Sequence, residues 1–316
     1  MKNLNRTSPT YSVIYSWRSI SNHKFLFWVG LVMIACAVLL VPFWLFDPIE
    51  ILGVSRWEKP MKFFISTGIF CVTYSWLSAH ISRWPRLVYW AGVIIAVSFI
   101  IEMIGIAGAA AFETTSHFNV SNPLSVAVWG IMATFVNIIF ASTIVLSLLI
   151  VLERQKPLLM KVGLGLGSSI TAVGMGIAFF MTGPTAEQLT NFQGIAGAHA
   201  VGVDDGGPGL PLLGWSTVAG DLRVGHFFGL HAIQIAIALL IIQRYLPAAM
   251  RMPLVTVGNL TYLGFVLIVT GQALRAETFI NPSPETITQI MILFAVSISI
   301  FAFWSGLSSF RQRVRI

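Results

Sequence analysis

The sequence contains few charged residues. Asp, Glu, Lys and Arg make up 10% of the 316 positions, whereas apolar residues make up 56% and the mean hydropathy is +0.82. Because a soluble domain carries about a quarter charged residues, this composition argues against a globular enzyme. It predicts an all-α, polytopic membrane helix bundle that forms a single integral membrane domain over residues 1–316.

Cysteine and several common motifs are also scarce or missing. Only Cys36 and Cys71 are present, both inside long apolar runs, which argues against a disulfide framework or a cysteine-based metal site. The sequence has no Walker A motif, no CxxC or CxxCH, no GxSxG and no HExxH. These absences argue against ATP-driven transport, covalent c-type haem and the common serine-hydrolase elbow.

Long apolar runs are abundant instead. A hydrocarbon layer of about 30 Å needs about 20 helical residues, and we assign eight runs of that order: residues 27–46, 63–81, 87–111, 124–152, 159–182, 224–243, 254–274 and 287–307. Because the first run is long, we interpret it as a retained anchor and not as a signal peptide. Residues 1–26 would form a cytoplasmic and interfacial segment, with Val13, Ile14, Trp17 and Ile20 on one helical face.

The basic residues favour one orientation. With the N-terminus inside and eight alternating spans, all but five of the 19 basic residues lie on the cytoplasmic side. This asymmetry follows the positive-inside rule and predicts a multi-pass protein of a bacterial-type plasma (inner) membrane with both termini cytoplasmic. Orientation and contact with anionic lipid account for the net charge of +7, so no nucleic-acid partner is predicted.

One segment concentrates the titratable residues. The stretch from His199 to His231 holds three of the six histidines and three of the four aspartates. In the predicted topology, residues 183–223 form an extracytoplasmic glycine-rich loop that leads into the sixth span. Because polar groups are costly at membrane depth, this enrichment predicts a functional site at the extracytoplasmic half of the bundle.

Histidine and glutamate supply the candidate chemistry of that site. The candidate metal ligands are His117, His199, His226 and His231. In a continuous helix His226 and His231 differ by about 140°, so they do not form the i,i+4 pair that chelates one zinc ion. Glu102 in span three and His231 in span six both lie roughly 12 Å from the outer helix ends. The carboxyl is therefore a candidate catalytic group that shares a proton with His231 or orients it as a ligand; the alternative is a structural hydrogen bond.

Other polar groups on the same side complete the predicted site. The candidate cofactor-binding residues are Arg56, Lys59, Lys62, Arg223, Arg275 and Gln272. The cations among them suit carboxylates, phosphates or haem propionates, although snorkelling to the interface is their alternative role. Asp221 is a second candidate catalytic residue, whose alternative is to cap the sixth span and pair with Arg223. Glycines in span five predict close helix packing or, alternatively, room for a flat ligand.

Three functions fit these features. The preferred one is a membrane redox protein that holds haem b and exchanges electrons with a quinone or a membrane partner. The second is an intramembrane metal-dependent hydrolase or lipid-modifying enzyme with zinc or iron, in which Glu102 acts as general base. The third is a transporter or receptor for an anionic or amphipathic ligand. The sequence lacks the paired Gly/Pro-broken helices typical of inverted-repeat transporters, and it does not predict an oligomeric state.

Overall fold

The computed structural model describes residues 17–314 and consists almost entirely of helices. The helices are α1 (Trp17–Ile20), α2 (Lys24–Phe46), α3 (Glu58–Ser78), α4 (Pro85–Ala111), α5 (Pro123–Val151), α6 (Leu158–Ile177), α7 (Ala186–Thr190), α8 (Leu222–Leu230), α9 (Ala232–Ile242), α10 (Ala248–Leu274) and α11 (Pro284–Val314). Short 3₁₀ turns follow α6 and α9, at Ala178–Met181 and Gln243–Tyr245. The predicted all-α class is confirmed.

The described residues also form two very short antiparallel strand pairs, which lie in connecting segments. β1 (Glu50–Ile51) pairs with β2 (Val54–Ser55), and β3 (Ala200–Val201) pairs with β4 (Gly220–Asp221). Of the interfacial helix predicted around residues 11–24, Val13 and Ile14 lie outside the described residues. Of the described part of that segment, Trp17–Ile20 form the single turn α1 and Lys24 begins α2.

Six helical segments are long and apolar enough to cross a membrane, and a bent pair of helices makes a seventh. The six are Lys24–Phe46, Pro85–Ala111, Pro123–Val151, Leu158–Thr190, Ala248–Leu274 and Pro284–Arg313. The described chain therefore has the helices of a membrane-embedded protein.

The predicted span 63–81 corresponds to α3 and differs from these segments. The helix has 21 residues, but it does not reach the hydropathy of the six. Its charged and hydroxyl side chains both lower its hydropathy, namely Glu58, Lys59, Lys62, Ser66, Thr67, Thr73, Tyr74, Ser75 and Ser78. Several of these face the protein interior, as shown by Tyr74, which is 1% exposed. The count of eight spans therefore stays a prediction.

The predicted sixth span is not the continuous helix that the sequence suggests. α8 ends at Leu230 and α9 begins at Ala232, with a 43° bend between them and His231 at the break. The hydroxyl of Thr171 in α6 accepts a hydrogen bond from the N–H of Ile233 at 3.2 Å. This bond gives the N–H of Ile233 a partner in place of the helical hydrogen bond that is lost at the break. His226 lies within α8 and His231 directly follows its last residue, so the angular separation of the two histidines stays a prediction.

The chain forms two compact units, whereas the sequence analysis treats it as a single domain. The first comprises residues 1–116 and 130–149, and the second comprises residues 117–129 and 150–316. α5 contributes its first turns to the second unit and most of its length to the first. Each unit is described separately below.

The first unit is held together by close helix packing and by a polar clip at one end. Gly30 of α2 and Gly68 of α3 allow the two backbones to meet, since a Cβ on Gly68 would lie 2.9 Å from the carbonyl oxygen of Gly30. At the end of α2, Asp47 accepts hydrogen bonds from Arg56 Nη2 and Trp57 Nε1, each at 2.7 Å. The clip fixes the turn between α2 and α3.

The opposite end of α2 is held by His23. Its Nδ1 accepts a hydrogen bond from the N–H of Leu26 at 3.2 Å, and its Nε2 donates one to the carbonyl oxygen of Tyr89 at 2.8 Å. Because both ring nitrogens are occupied, this histidine has a structural role as the cap of α2. That assignment agrees with its absence from the predicted ligand set.

In the second unit, α6 lies against α8, α9 and α10, and glycines make these contacts possible. A Cβ on Gly167 would lie 2.4 Å from the Cβ of Ala236, and one on Gly229 would lie 2.3 Å from the Cα of Gly174. The packing role predicted for the glycines of span five is confirmed. α11 lies at the edge of the unit, and only 6% of its apolar window is buried.

The Gly174–Gly229 contact predicts a large effect of a single methyl group. Gly229→Ala places a Cβ against backbone atoms of α6, which have no flexible side-chain end that can move aside. We expect a loss of about 2 kcal/mol in the free energy of unfolding, the usual size for overpacking of a core, measured by denaturant titration in detergent micelles. Gly306→Ala is the control, because its Cβ meets nothing within 4 Å. Equal stability of the two variants would contradict the contact.

Candidate functional site

The second unit brings two of the predicted ligand histidines to the same aromatic cluster. The ring of His199 lies 4.9 Å from that of Phe118, and the ring of His117 lies 5.3 Å from that of Trp129. Phe118 and Trp129 are themselves in edge contact at 5.4 Å. The loop that follows α4 and the glycine-rich loop therefore meet through aromatic side chains.

Asp205 holds His199 in one orientation. The Nδ1 atom of His199 lies 2.6 Å from Oδ2 of Asp205, while Oδ1 accepts hydrogen bonds from the N–H groups of His199 and Ala200 at 3.0 and 2.9 Å. Because a carboxylate only accepts, the ring proton lies on Nδ1. In the neutral ring Nε2 then carries the lone pair.

The electrostatics of this pair favour the ionised carboxyl. Burial raises the pKa of Asp205. The hydrogen bond and charge of His199 and the two backbone N–H groups lower this pKa by a larger amount. The net result is a pKa below the ordinary range of an aspartate. His199 is a predicted ligand, whereas the sequence predicts for Asp205 only that it binds a cation or caps a turn, as for Asp204. The acid six residues after the histidine was the available signal for the pair.

His226 is oriented in a similar way by the backbone of α6. Its Nδ1 donates a hydrogen bond to the carbonyl oxygen of Gly174 at 2.8 Å, so its Nε2 also carries the lone pair of the neutral ring. His199 and His226 are close enough for their charges to interact. In both His199 and His226, therefore, Nδ1 carries the proton and donates it to an acceptor.

The other residues of the predicted proton and ligand chemistry lie elsewhere. His231 occupies the break between α8 and α9, with its ring 4.6 Å from that of Phe227 and a hydrogen bond to Gln234. Glu102 belongs to α4 in the first unit. The pairing of Glu102 with His231 therefore stays a prediction.

Asp221 has the structural role that the sequence analysis gave as its alternative. It caps α8 and is 1% exposed. Its Oδ1 accepts from the N–H and the Nε of Arg223 at 3.0 and 2.9 Å, and its Oδ2 accepts from the N–H of Ser216 at 2.8 Å. The local pair and helix cap are confirmed, and most of the acceptor capacity of this carboxylate is used.

Most of the predicted cofactor-binding side chains also have close partners. In the first unit, Arg56 pairs with Asp47 at 2.7 Å, Lys62 pairs with Glu58 at 2.9 Å, and Lys59 lies over the ring of Phe63. In the second unit, Arg223 pairs with Asp221, Arg275 pairs with Glu277 at 3.3 Å, and Gln272 donates to the carbonyl oxygen of Thr278 at 2.7 Å. These contacts fix helix ends and turns, and a role in cofactor binding stays a prediction.

Within residues 17–314, no three His, Cys, Asp or Glu side chains lie close enough together to hold a metal ion. The candidate donors with a defined orientation are therefore His199 and His226, whose Nδ1–H groups each have an acceptor. Comparison with protein-family models, with curated proteins and with solved structures gave no match.

The role of Asp205 is testable with a neighbouring control. Asp205→Asn replaces the charged acceptor of His199 with a neutral amide, so we expect faster hydrogen exchange at the amides of His199 and Ala200. Asp204→Asn changes the adjacent, exposed aspartate and should leave exchange at these two amides unchanged. Hydrogen–deuterium exchange with mass spectrometry gives the measurement, and an identical response of both variants would contradict the assignment.

The same pair predicts a pH dependence of loop stability. The pKa of Asp205 in the folded loop lies below its ordinary value of 3.8. The ionised carboxylate therefore stabilises the folded loop at pH values above 3.8, and this stabilisation is lost as the pH falls through the pKa of the folded loop. We expect exchange protection factors at His199 and Ala200 to decline between about pH 4 and pH 2. In Asp205→Asn this decline should disappear, and persistence of the full decline would argue for another titrating group.

Proposed function

We propose that this protein is an integral membrane redox protein that binds haem b through His199 and His226. The observation that carries the proposal is the shared geometry of the two rings: each Nδ1–H is held by an acceptor, Asp205 in one case and the Gly174 carbonyl in the other. Histidines that ligate metals almost always have such a second partner, which fixes the tautomer and the ring orientation.

The number of donors supports haem over a bare metal ion. A structural or catalytic zinc site takes three or four protein ligands, and the described residues bring no such group together. A haem iron takes its equatorial ligands from the macrocycle and needs only one or two axial side chains. Two oriented imidazoles match that smaller requirement.

The residues around the pair have defined tasks in this proposal. Asp205 would make the His199 ring a better electron donor through its hydrogen bond, and the carbonyl oxygen of Gly174 holds the Nδ1–H of His226. The ring of Phe118, 4.9 Å from that of His199, would exclude water from one side of His199. When bound, the haem supplies one-electron transfer.

The distribution of basic residues supports the proposed location of this chemistry. With α3 as an eighth span, both termini lie in the cytoplasm and the glycine-rich loop lies outside a bacterial-type inner membrane. The electron partner would then be a quinone or another membrane redox protein that reaches the extracytoplasmic half of the protein. Arg223 and Arg275 belong to the same unit as the two histidines and are the proposed cations for the haem propionates.

Optical spectroscopy tests the haem proposal directly. We expect protein purified from haem-supplemented cells to show a Soret band and a pyridine haemochrome of b type. His199→Ala and His226→Ala should each remove or shift the Soret band, because each would remove one of the two nitrogens proposed to hold the haem. His231→Ala is the matched control from the same segment and should keep the wild-type spectrum.

Two results would overturn the assignment. A wild-type protein that is folded but colourless would exclude bound haem under these conditions, and thermal unfolding in detergent verifies the fold. A spectrum that changes in His231→Ala but not in His226→Ala would transfer the ligand role to the histidine at the helix break.

A ligand-binding transporter is the second candidate, favoured by the broken span. Discontinuous helices commonly form the binding sites of transporters because their ends expose backbone groups, and α8 and α9 are such a pair. The same sample separates the candidates. A colourless wild-type protein with less than about a tenth of an equivalent of zinc, iron or manganese would support this candidate over a redox protein or a metallohydrolase.

A further inference from the structure

The first unit contains a buried carboxyl group that the haem proposal does not use. Glu102 lies in α4, nine residues before its last residue Ala111, which corresponds to roughly 14 Å along the helix. Its side chain is 7% exposed. The Oε1 atom is fully buried and has no hydrogen-bond partner among residues 17–314.

The buried neighbours of this carboxyl along its own helix carry no charge. One turn away on α4, Ile106 and the hydroxyl-bearing Ser98 are each 1% exposed. The backbone of Val136 in α5 approaches the carboxyl, and one turn earlier the thioether of Met132 lies against Gly105. Neither α4 nor α5 carries a lysine or arginine at the depth of Glu102.

The titratable groups on the other helices of the unit do not compensate a negative charge here. The charged residues of α2 and α3 lie in their first turns, at Lys24, Glu58, Lys59 and Lys62. Their interiors carry only cysteines and one tyrosine, namely Cys36, Cys71 and Tyr74. Residues 130–149 of α5 contain no titratable side chain. An ionised Glu102 would therefore have no counter-ion in its own unit at this depth.

We propose that Glu102 is a proton-binding site in the interior of the first unit. At neutral pH its carboxyl carries one proton, because a buried carboxylate without a counter-ion is far less favourable than the neutral acid. Release transfers that proton to water and leaves a carboxylate that recovers a proton from water, so no oxidant or reductant is needed. Ionisable groups at membrane depth typically mark proton pathways. This site is independent of the haem proposal and uses none of its residues.

Infrared spectroscopy of the complete protein in detergent tests the protonation state. We expect the difference spectrum of wild type minus Glu102→Gln at neutral pH to contain the C=O stretching band of a protonated carboxyl. The band should move to lower wavenumber in D₂O, since the proton exchanges with solvent. The bands of an ionised carboxylate in the same difference spectrum would overturn the proposal, and so would a protonated band that does not move in D₂O.

Glu113→Gln provides the matched control from the same unit. The Glu113 side chain is 59% exposed and pairs with Arg56 at 3.5 Å, so its difference spectrum should show an ionised carboxylate. Glu102→Gln should unfold at the wild-type temperature, because Gln resembles the neutral acid in shape and charge. A large drop in that temperature would instead indicate a carboxylate that is ionised and paired.

A second measurement needs no variant and applies if Glu102→Gln does not fold. A hydrophobic carbodiimide adds to a protonated carboxyl: the acid proton moves to a carbodiimide nitrogen, and the carboxyl oxygen bonds to the central carbon. The adduct then rearranges to a stable N-acylurea without loss of atoms. Peptide mapping of wild-type protein should find this adduct on the Glu102 peptide at neutral pH, and its absence there would overturn the proposal.

Discussion

The contact between Gly174 and Gly229 is the constraint on which the second unit depends. It brings the backbones of α6 and α8 together so closely that neither position has room for a Cβ atom. At that separation, His226 reaches the carbonyl oxygen of Gly174, and Thr171 reaches the N–H of Ile233 beyond the helix break. One small-residue contact thus orients a candidate ligand and also satisfies backbone groups that a membrane interior cannot.

The glycine-rich loop is tied to the same helix by backbone and carboxylate bonds. Leu222 at the start of α8 donates its N–H to the carbonyl oxygen of His199 at 3.0 Å, next to the β3–β4 pair. Asp205 fixes the position of His199 from one side, while Asp221 caps α8 from the other. The loop therefore positions His199 relative to α8 even though about half of its own residues are exposed.

Local patterns in the sequence were enough to predict the helices and the polar segment. The apolar runs marked most of the spans, and the Asp221–Arg223 spacing predicted a helix cap that the structure confirms. The break at His231 was not predictable, because Thr171 lies 62 positions before Ile233 in the chain and no proline marks the site. The pairing of His199 with Asp205 depends on a turn geometry that spacing alone does not define, although both residues lie in the segment that composition had singled out.

The bend between α8 and α9 also changes where electric charge resides along this part of the chain. Helix dipoles end in partial charges, so a break creates a second pair of ends. The positive end of α8 meets Asp221, and its negative end lies at His231, next to the positive end of α9. The hydroxyl of Tyr262 donates to the carbonyl oxygen of Phe228 at 2.7 Å and so meets that negative end. The histidine at the break therefore lies between two helix ends of opposite partial charge, which an unbroken span would not have.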